Sequence, residues 1–321
     1  VSDWRPSASP ETLRRRAALL AATRRFFAER GVLEVDTPVV LTHTVTDVQI
    51  GSIAVADDGR QRWLHTSPEY PMKRLLAAGS GDIYQICHVF RAGESGRLHN
   101  PEFTLVEWYR LGFGLVEIMR ETVALAAALF ETGGRKAPPF QALTYAEAFR
   151  HELGSDPLTA RHEELARLAA EHGLDRGSIA GASRNDLLDF LVAVAVGPRL
   201  GHGCLTCLHH YPASQAALAE LDHEDPRTAL RFELYADGIE LANGYVELAS
   251  AAEQRRRFEA DLAERRRRGL PEPAIDGRLL AALDAGLPRC AGVAMGFDRV
   301  AMLALGATRI DEVLAFPWDR A

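Results

Sequence analysis

The chain has 321 residues, 47% hydrophobic and 25% charged, a composition that excludes a disordered, collagen-like or disulfide-scaffold protein. No apolar run approaches the roughly 18 residues of a membrane span; the longest, Val123 to Phe130, is half alanine. Lys+Arg number 37 against 44 Asp+Glu, a net charge of −7, whereas a free-standing nucleic-acid binder carries a basic excess; a large phosphate-backbone footprint is not expected. Only Lys73 and Lys136 interrupt an otherwise all-arginine set of cations. Four cysteines, and no apolar core between Val1 and Pro10, predict a reduced, cytoplasmic setting without a secretory signal.

Ser9-Pro10-Glu11 reads as an N-cap, a first helical residue and an acidic first turn, opening a helix that Gly31 stops. A short strand, Val32 to Val35, ends before Pro38. Ile53 to Val55 and Trp63 to His65 flank Asp57-Asp58-Gly59 as a hairpin. Tyr70 to Ala78 predicts a short helix. Ile83 to Arg91 and Phe103 to Leu111 alternate as an antiparallel pair joined by the polar loop 92–101. Leu115, Ile118, Thr122, Leu125 and Leu129 share one face of a helix over Leu115 to Phe130. Further helices are expected at 144–150, 160–172 and 183–196, the last with a capping box from Ser183 and Asp186. Cys204 to His210 reads as a strand. Asp237-Gly238 turns a hairpin between Phe232–Ala236 and Ile239–Glu247. A helix from Arg255 to Arg268, a strand from Gly292 to Met295 and a helix from Asp298 to Leu305 complete the chain. The expectation is one domain over 1–321, antiparallel sheet plus helices, with a helical insertion at about 112–200.

Three segments carry chemistry. With Asp237-Gly238 as a two-residue turn, Tyr235 pairs with Glu240 and Glu233 with Ala242. Glu233 and Glu240 then lie diagonally on one face, within reach of a shared cation; oxygen ligation suits Mg²⁺ holding phosphate. Glu247 has the wrong parity for that face unless a bulge intervenes, and Asn243-Gly244 is the expected bulge site. In residues 89–109, Arg91, Arg97 and His99 can clamp phosphate oxygens, and Phe103 can stack on a purine. In residues 291–299, a strand of small residues runs into a helix bearing Arg299, which can meet a phosphate, with Gly296 allowing close approach. Taken singly, the first two describe solvated strand and loop faces equally well, and the third is a weak glycine pattern.

Together they are specific. Residues 17–38, 89–109 and 291–306 resemble motifs 1, 2 and 3 of the class II aminoacyl-tRNA synthetases, an α+β fold in which an antiparallel sheet is flanked by helices. Thr66-Ser67-Pro68-Glu69, residues 99–104 and residues 240–248 resemble the lysyl branch. Lysyl-tRNA synthetases carry an anticodon-binding barrel before motif 1, and here the motif 1 helix begins near residue 10. The sequence is therefore similar to the elongation factor P lysine ligases, catalytic cores without tRNA reading, which attach a lysyl group, preferably (R)-β-lysine, to a lysine side chain of elongation factor P.

The resemblance implies roles residue by residue. Arg91 holds the ATP α-phosphate and the substrate carboxylate. Asn100 and Phe103 take the adenine, with Leu241 beside the nucleotide. Arg299 holds the γ-phosphate, and Glu233 and Glu240 hold Mg²⁺. Ser67, Pro68 and Glu69 line the amino-acid pocket with Asn243 and Ala294; Glu107, Tyr109 and Glu247 receive the distal ammonium. ATP and Mg²⁺ are the implied cofactors, and a homodimer built through motif 1 is the implied assembly. Two departures stand out. The acid of motif 2 is displaced to Glu94, assigned to adenine or loop contacts. Ala294 replaces the glycine usual in tRNA-charging lysyl enzymes, which favours β-lysine over α-lysine. The alternatives are a free-standing lysine-activating synthetase charging a tRNA or carrier, and a non-catalytic regulatory paralogue. Cys204 and Cys207, near His202, His209 and His210, invite a zinc site, but i and i+3 point to opposite strand faces, so buried thiols are expected.

Overall fold

The computed structural model describes residues 4–321; residues 1–3, the start of the segment read as lacking a signal core, lie outside the described residues. Ser9 caps α1 (Pro10–Ala28) by accepting from the Thr12 amide. The chain then forms β1 (Leu33–Glu34), β2 (Val40–Leu41), the hairpin of β3 (Ala54–Asp57) and β4 (Arg60–Leu64), and α2 (Glu69–Ala77). Next come β5 (Ile83–Phe90), β6 (Glu102–Leu111), α3 (Leu115–Thr132), β7 (Phe140–Thr144), α4 (Tyr145–Leu153), α5 (His162–Glu171), α6 (Arg176–Gly181) and α7 (Arg184–Leu191). The expected helix over 183–196 is α-helical only to Leu191 and widens into a π-helical turn at Val192–Val196. The C-terminal part holds β8 (Leu205–Pro212), β9 (Thr228–Ala236), β10 (Ile239–Val246), α8 (Ala251–Arg267), α9 (Gly277–Gly286), β11 (Cys290–Gly296) and α10 (Phe297–Ala304).

Eight strands form one sheet in the order β1-β5-β6-β11-β10-β9-β8-β7. The six inner strands are antiparallel, as expected, but each edge strand is parallel to its neighbour, β1 to β5 and β7 to β8. Neither parallel edge was legible locally, because β1 is two residues long and β7 pairs with a strand some sixty residues away. The small sheet β2-β4-β3 lies apart.

The register divides the main sheet into two faces. Leu234, Ala242, Met295 and Val106 stand in one row across β9, β10, β11 and β6 and are buried with Phe27, Leu125, Leu129 and Val300 from α1, α3 and α10. The adjoining row is Glu233, Asn243, Ala294, Glu107 and Gln85. Because side chains alternate along a strand, this polar row is on the face opposite α1, α3 and α10. The helices α4, α5 and α7 close a separate apolar cluster around Phe149, Leu165 and Leu188.

Asp237 and Gly238 have φ of +49° and +73°, the two left-handed positions of a type I′ turn. Tyr235 pairs with Glu240 as the turn predicts, but the register then shifts between Glu240 and Ala242. The bulge is thus at Leu241, not at Asn243-Gly244, and Glu233 stands opposite Asn243 rather than Ala242. The displaced bulge brings Glu240, Asn243, Tyr245 and Glu247 to a single face.

Candidate active site

That face is the floor of a cavity of about 940 Å³. Its two ends differ in the charge they present.

At one end, Arg91 leaves β5 and Arg299 rises from the first turn of α10. Both side chains are partly exposed, 26% and 22%. The Arg299 guanidinium donates to the Glu240 carbonyl at 2.9 Å and the Leu98 carbonyl at 3.2 Å, and it meets His99 Nε2 at 2.6 Å. Burial and the Arg299 charge hold His99 below its usual range, keeping it a neutral partner. Glu240 keeps its place opposite Tyr235 on β9, but the ladder to β11 begins only at Ala242, so Arg299 meets the Glu240 carbonyl beyond the end of that ladder. Arg91 lies over the Phe103 ring with its cation 5.1 Å from the centroid and 3.8 Å from Glu94. Its Nε is buried without a partner. Leu241 and Gly296 complete this wall. Asn100 also lines it, but its amide is engaged, donating to Glu102 O and accepting from the Trp318 amide. Arg97 does not join the cluster; it turns away to donate to Thr308 O.

Glu240 is 39% exposed; the protein packed around it, then the charge of Glu233, raises its carboxyl above the usual range. Glu233 is buried, with Arg231 Nη2 at 2.6 Å and the Tyr235 hydroxyl donating at 2.7 Å. It does not reach the cavity wall. The donor set fits Mg²⁺ only with help from elsewhere: one open carboxylate, a second held in reserve by Arg231, and the remaining ligands from phosphate and water. Among the described residues, no three His, Cys, Asp or Glu side chains cluster as a metal site by themselves.

At the other end, the carboxylates are dry. Glu107 is 2% exposed and accepts from Ser67 Oγ and the Tyr109 hydroxyl, both at 2.7 Å. Burial, followed by the neighbouring charge of Glu69, pushes it up to about 8. Burial likewise lifts Glu247 to about 7 despite Lys73 beside it. Ser67 also caps the α2 backbone by accepting from the Glu69 amide, which orients Glu69 toward the pocket. Pro68 supplies the N-cap position of α2 and is buried behind the wall rather than in it. Asn243 and Ala294 flank Glu107 along the row, and Asn243 Oδ1 is buried without a partner.

The family profile described as tRNA synthetases class II (D, K and N) matches residues 1–320. The "Elongation factor P--(R)-beta-lysine ligase" of Pasteurella multocida is 46% identical over 99% of this chain and 98% of its own length. Those of Proteus mirabilis and Klebsiella pneumoniae (strain 342) are each 47% identical over 100% of this chain and 99% of theirs.

The chain belongs to the class II tRNA synthetase family.

Within that family it belongs with these ligases, sharing close to half of its residues with them over nearly their full length. The sequence reading of this class II ligase missed several supports of the site. Lys73, noticed only as a rare lysine, is 1% exposed and contacts Glu69 at 2.7 Å and Glu247 at 2.6 Å; its i, i+4 spacing from Glu69 in a predicted helix was the available signal. Gly292 is another: a Cβ there would lie 2.4 Å from the Tyr109 ring and 2.5 Å from Glu247 Oε1. A third is Asp298, 1% exposed, which accepts from the Thr104 amide at 2.8 Å and pairs with Arg16 at 2.6 Å. Arg16 also donates to Thr104 Oγ1, so α1, β6 and α10 are tied together directly behind Arg299. Of the two cysteines expected as buried thiols, Cys207 is buried and Cys204 only half-buried.

Proposed function

We propose that the enzyme activates a lysine-type diamino acid, (R)-β-lysine in preference to α-lysine, as its adenylate, and transfers it to a lysine side chain of elongation factor P. The observation that carries this reading is the cavity's polarity: two arginines at one end, and at the other three carboxylates, Glu107 and Glu247 buried and Glu69 half-buried. A zwitterion with a second ammonium satisfies both ends, and a buried ammonium needs such partners. An anionic side chain such as aspartate's would meet Glu107 and Glu247 unpaired.

In this reading the substrate carboxylate attacks the α-phosphorus of ATP. A carboxyl–phosphate anhydride forms, the bond to pyrophosphate breaks, and pyrophosphate leaves. Arg91 and Arg299 stabilise the charge that accumulates on the phosphate oxygens, and in such transfers this electrostatic stabilisation usually supplies most of the rate enhancement. Mg²⁺, when bound, would neutralise phosphate charge, and Glu240, backed by Glu233, would hold it. In the second step the neutral acceptor amine attacks the anhydride carbonyl. An amide bond forms, AMP departs with the anhydride oxygen, and the amine proton passes to solvent. No enzyme nucleophile takes part. Phe103, beside Arg91, is suited to stack the adenine, and Glu94 to contact the loop or the base.

A homodimer through the motif 1 side belongs to the same reading, supported by the exposed Leu33, Val39 and Val40; so does a cytoplasmic location. Among the described residues no helix is long and apolar enough to cross a membrane.

The test is ATP–pyrophosphate exchange with (R)-β-lysine, α-lysine and aspartate, followed by the mass of elongation factor P after incubation. Exchange with the two diamino acids, strongest for the β form, and a mass gain on a lysine side chain are expected. Exchange driven by aspartate, or none with either diamino acid, overturns the assignment.

A further inference from the structure

In a chain whose cations are otherwise almost all arginine, the single buried lysine stands out. Lys73 is 1% exposed, on α2 one turn after Glu69, and its Nζ bridges Glu69 Oε1 and Glu247 Oε2. A compact ammonium can sit between two carboxylates where a planar guanidinium fork would not fit. The charged and titratable groups that act on it are Glu69 on its own helix, Glu247 just after β10, and Cys290 on β11. Glu247 is one of the cavity-lining residues, and its Oε1, the oxygen not held by Lys73, is buried against Gly292 with no hydrogen-bond partner.

We propose that Lys73 is a specificity-determining positioning residue: a resident counter-ion that leaves the three-carboxylate pocket of Glu69, Glu107 and Glu247 two negative charges, matching an amino acid with two ammonium groups. The inference rests on the lysine-type substrate proposed above. Three ionised acids with no counter-ion could not coexist in a dry pocket; they would take up protons and lose their hold on a cation. A second resident cation would leave one negative charge, enough for a monoamino acid. Lys73 also positions Glu247, since the contact fixes Oε2 and leaves Oε1 unpaired beside Gly292. Burial would lower the lysine itself, but Glu247 and Glu69 outweigh it and hold Lys73 firmly protonated.

Substrate binding should therefore depend on pH. Burial keeps protons on Glu107 and Glu247 to about 8 and about 7, and a bound diammonium favours their ionised forms, so binding releases protons and tightens as pH rises through that range. Removing Lys73 raises the acids further and moves this window upward.

The experiment compares wild type, Lys73→Met and Lys73→Met/Glu69→Gln, the double variant removing one acid together with the cation. Pyrophosphate exchange with (R)-β-lysine and α-lysine gives KM and kcat, and calorimetry in buffers of different ionisation enthalpy counts protons released. Lys73→Met is expected to raise KM about tenfold or more near neutral pH, with kcat within about threefold. The defect should shrink near pH 9, and proton release should rise by about one per site. The double variant should recover part of the KM and return proton release to the wild-type count. A folded Lys73→Met with wild-type KM, or with a KM raised equally at all pH values, overturns the inference. If Lys73→Met does not fold, the double variant decides: a proton count unlike the wild type's overturns it, and a matching count supports it. A wild type that binds neither diamino acid overturns the functional reading and this inference together; a wild type that binds both, with variants unchanged, overturns this inference alone.

Discussion

The two ends of the cavity solve opposite electrostatic problems. At the arginine end, the side chains of Arg91, Arg299 and Glu240 keep 26%, 22% and 39% of their exposure; water still screens them, and their mutual pairing is worth little by itself. At the carboxylate end, Lys73 and Glu247 are each 1% exposed and held 2.6 Å apart, out of reach of water. The open end is finished by its ligand, whereas the closed end is assembled when the chain folds. Mutations at the closed end should therefore damage stability and binding together, and mutations at the open end should damage chemistry alone.

The sharpest break of that contrast is Glu247→Ala. Lys73 would keep Glu69 but lose its other partner, and breaking a buried pair costs about 3–5 kcal/mol. Glu69 remains, so the lower end of that range is expected in chemical denaturation, accompanied by loss of measurable lysine binding. Arg299→Ala is the counterpart at the open end. Removing one preorganised donor to a charged transition state costs about 10²–10³ in rate, so exchange should fall by that factor or more while the denaturation midpoint stays within error of wild type. Unchanged exchange in a folded Arg299→Ala would sink the assignment of motif 3. A large stability loss there would sink the comparison.

Gly292→Ala probes the closed end without touching a charge. Its Cβ would fall 2.4 Å from Tyr109 Cε1 and 2.5 Å from Glu247 Oε1, and Gly292 sits between Tyr245 and Tyr109 in the middle of the sheet, where the backbone cannot yield. Overpacking of this kind costs about 1–3 kcal/mol. The expected result is a raised KM for the diamino acid with the KM for ATP unchanged, measured in the same exchange assay.

The contrast also explains what was legible in the sequence. Arg91, Glu94, Phe103 and Arg299 sit beside recognisable strand ends and helix starts, so local pattern placed the open end. The hairpin turn at Asp237-Gly238 was equally local, and it put Glu233 and Glu240 on one face. The closed end is built by partners distant in the chain: Glu69 and Lys73 from α2, Glu107 from β6, Glu247 after β10. The parity of Glu247 depended on a bulge whose position is set by pairing across the sheet, between Glu240 opposite Tyr235 and Ala242 opposite Leu234. The segment 99–104 reads as one unit, yet Asn100 faces the C-terminal Trp318 amide, and the neighbouring Arg97 faces Thr308. Neither partner can be seen from the loop. The helix α9 was missed for a different reason: its residues from Gly277 to Gly286 begin and end in glycine, and its strongest signal is the Asp276 cap.

The smallest expected effect lies where the two ends meet. Ala294 stands between Asn243 and Glu107, half-buried on the cavity floor; in the binding mode proposed above, the amino group nearer the substrate carboxylate lies beside it. Moving that amino group by one carbon, as between α- and β-lysine, changes which atoms crowd this spot. A methyl in a pocket discriminates by about 1–3 kcal/mol at most. Ala294→Gly should leave Glu107, Glu247 and both arginines in place, so the stability and the KM for ATP should not move. The ratio of kcat/KM for (R)-β-lysine over α-lysine should fall by about tenfold, mainly through improved use of α-lysine. If that ratio holds while Gly292→Ala raises KM for both substrates equally, then the methyl is not the discriminating group, and the choice between the two isomers is made by the fixed distance from Arg91 to the carboxylates of the closed end.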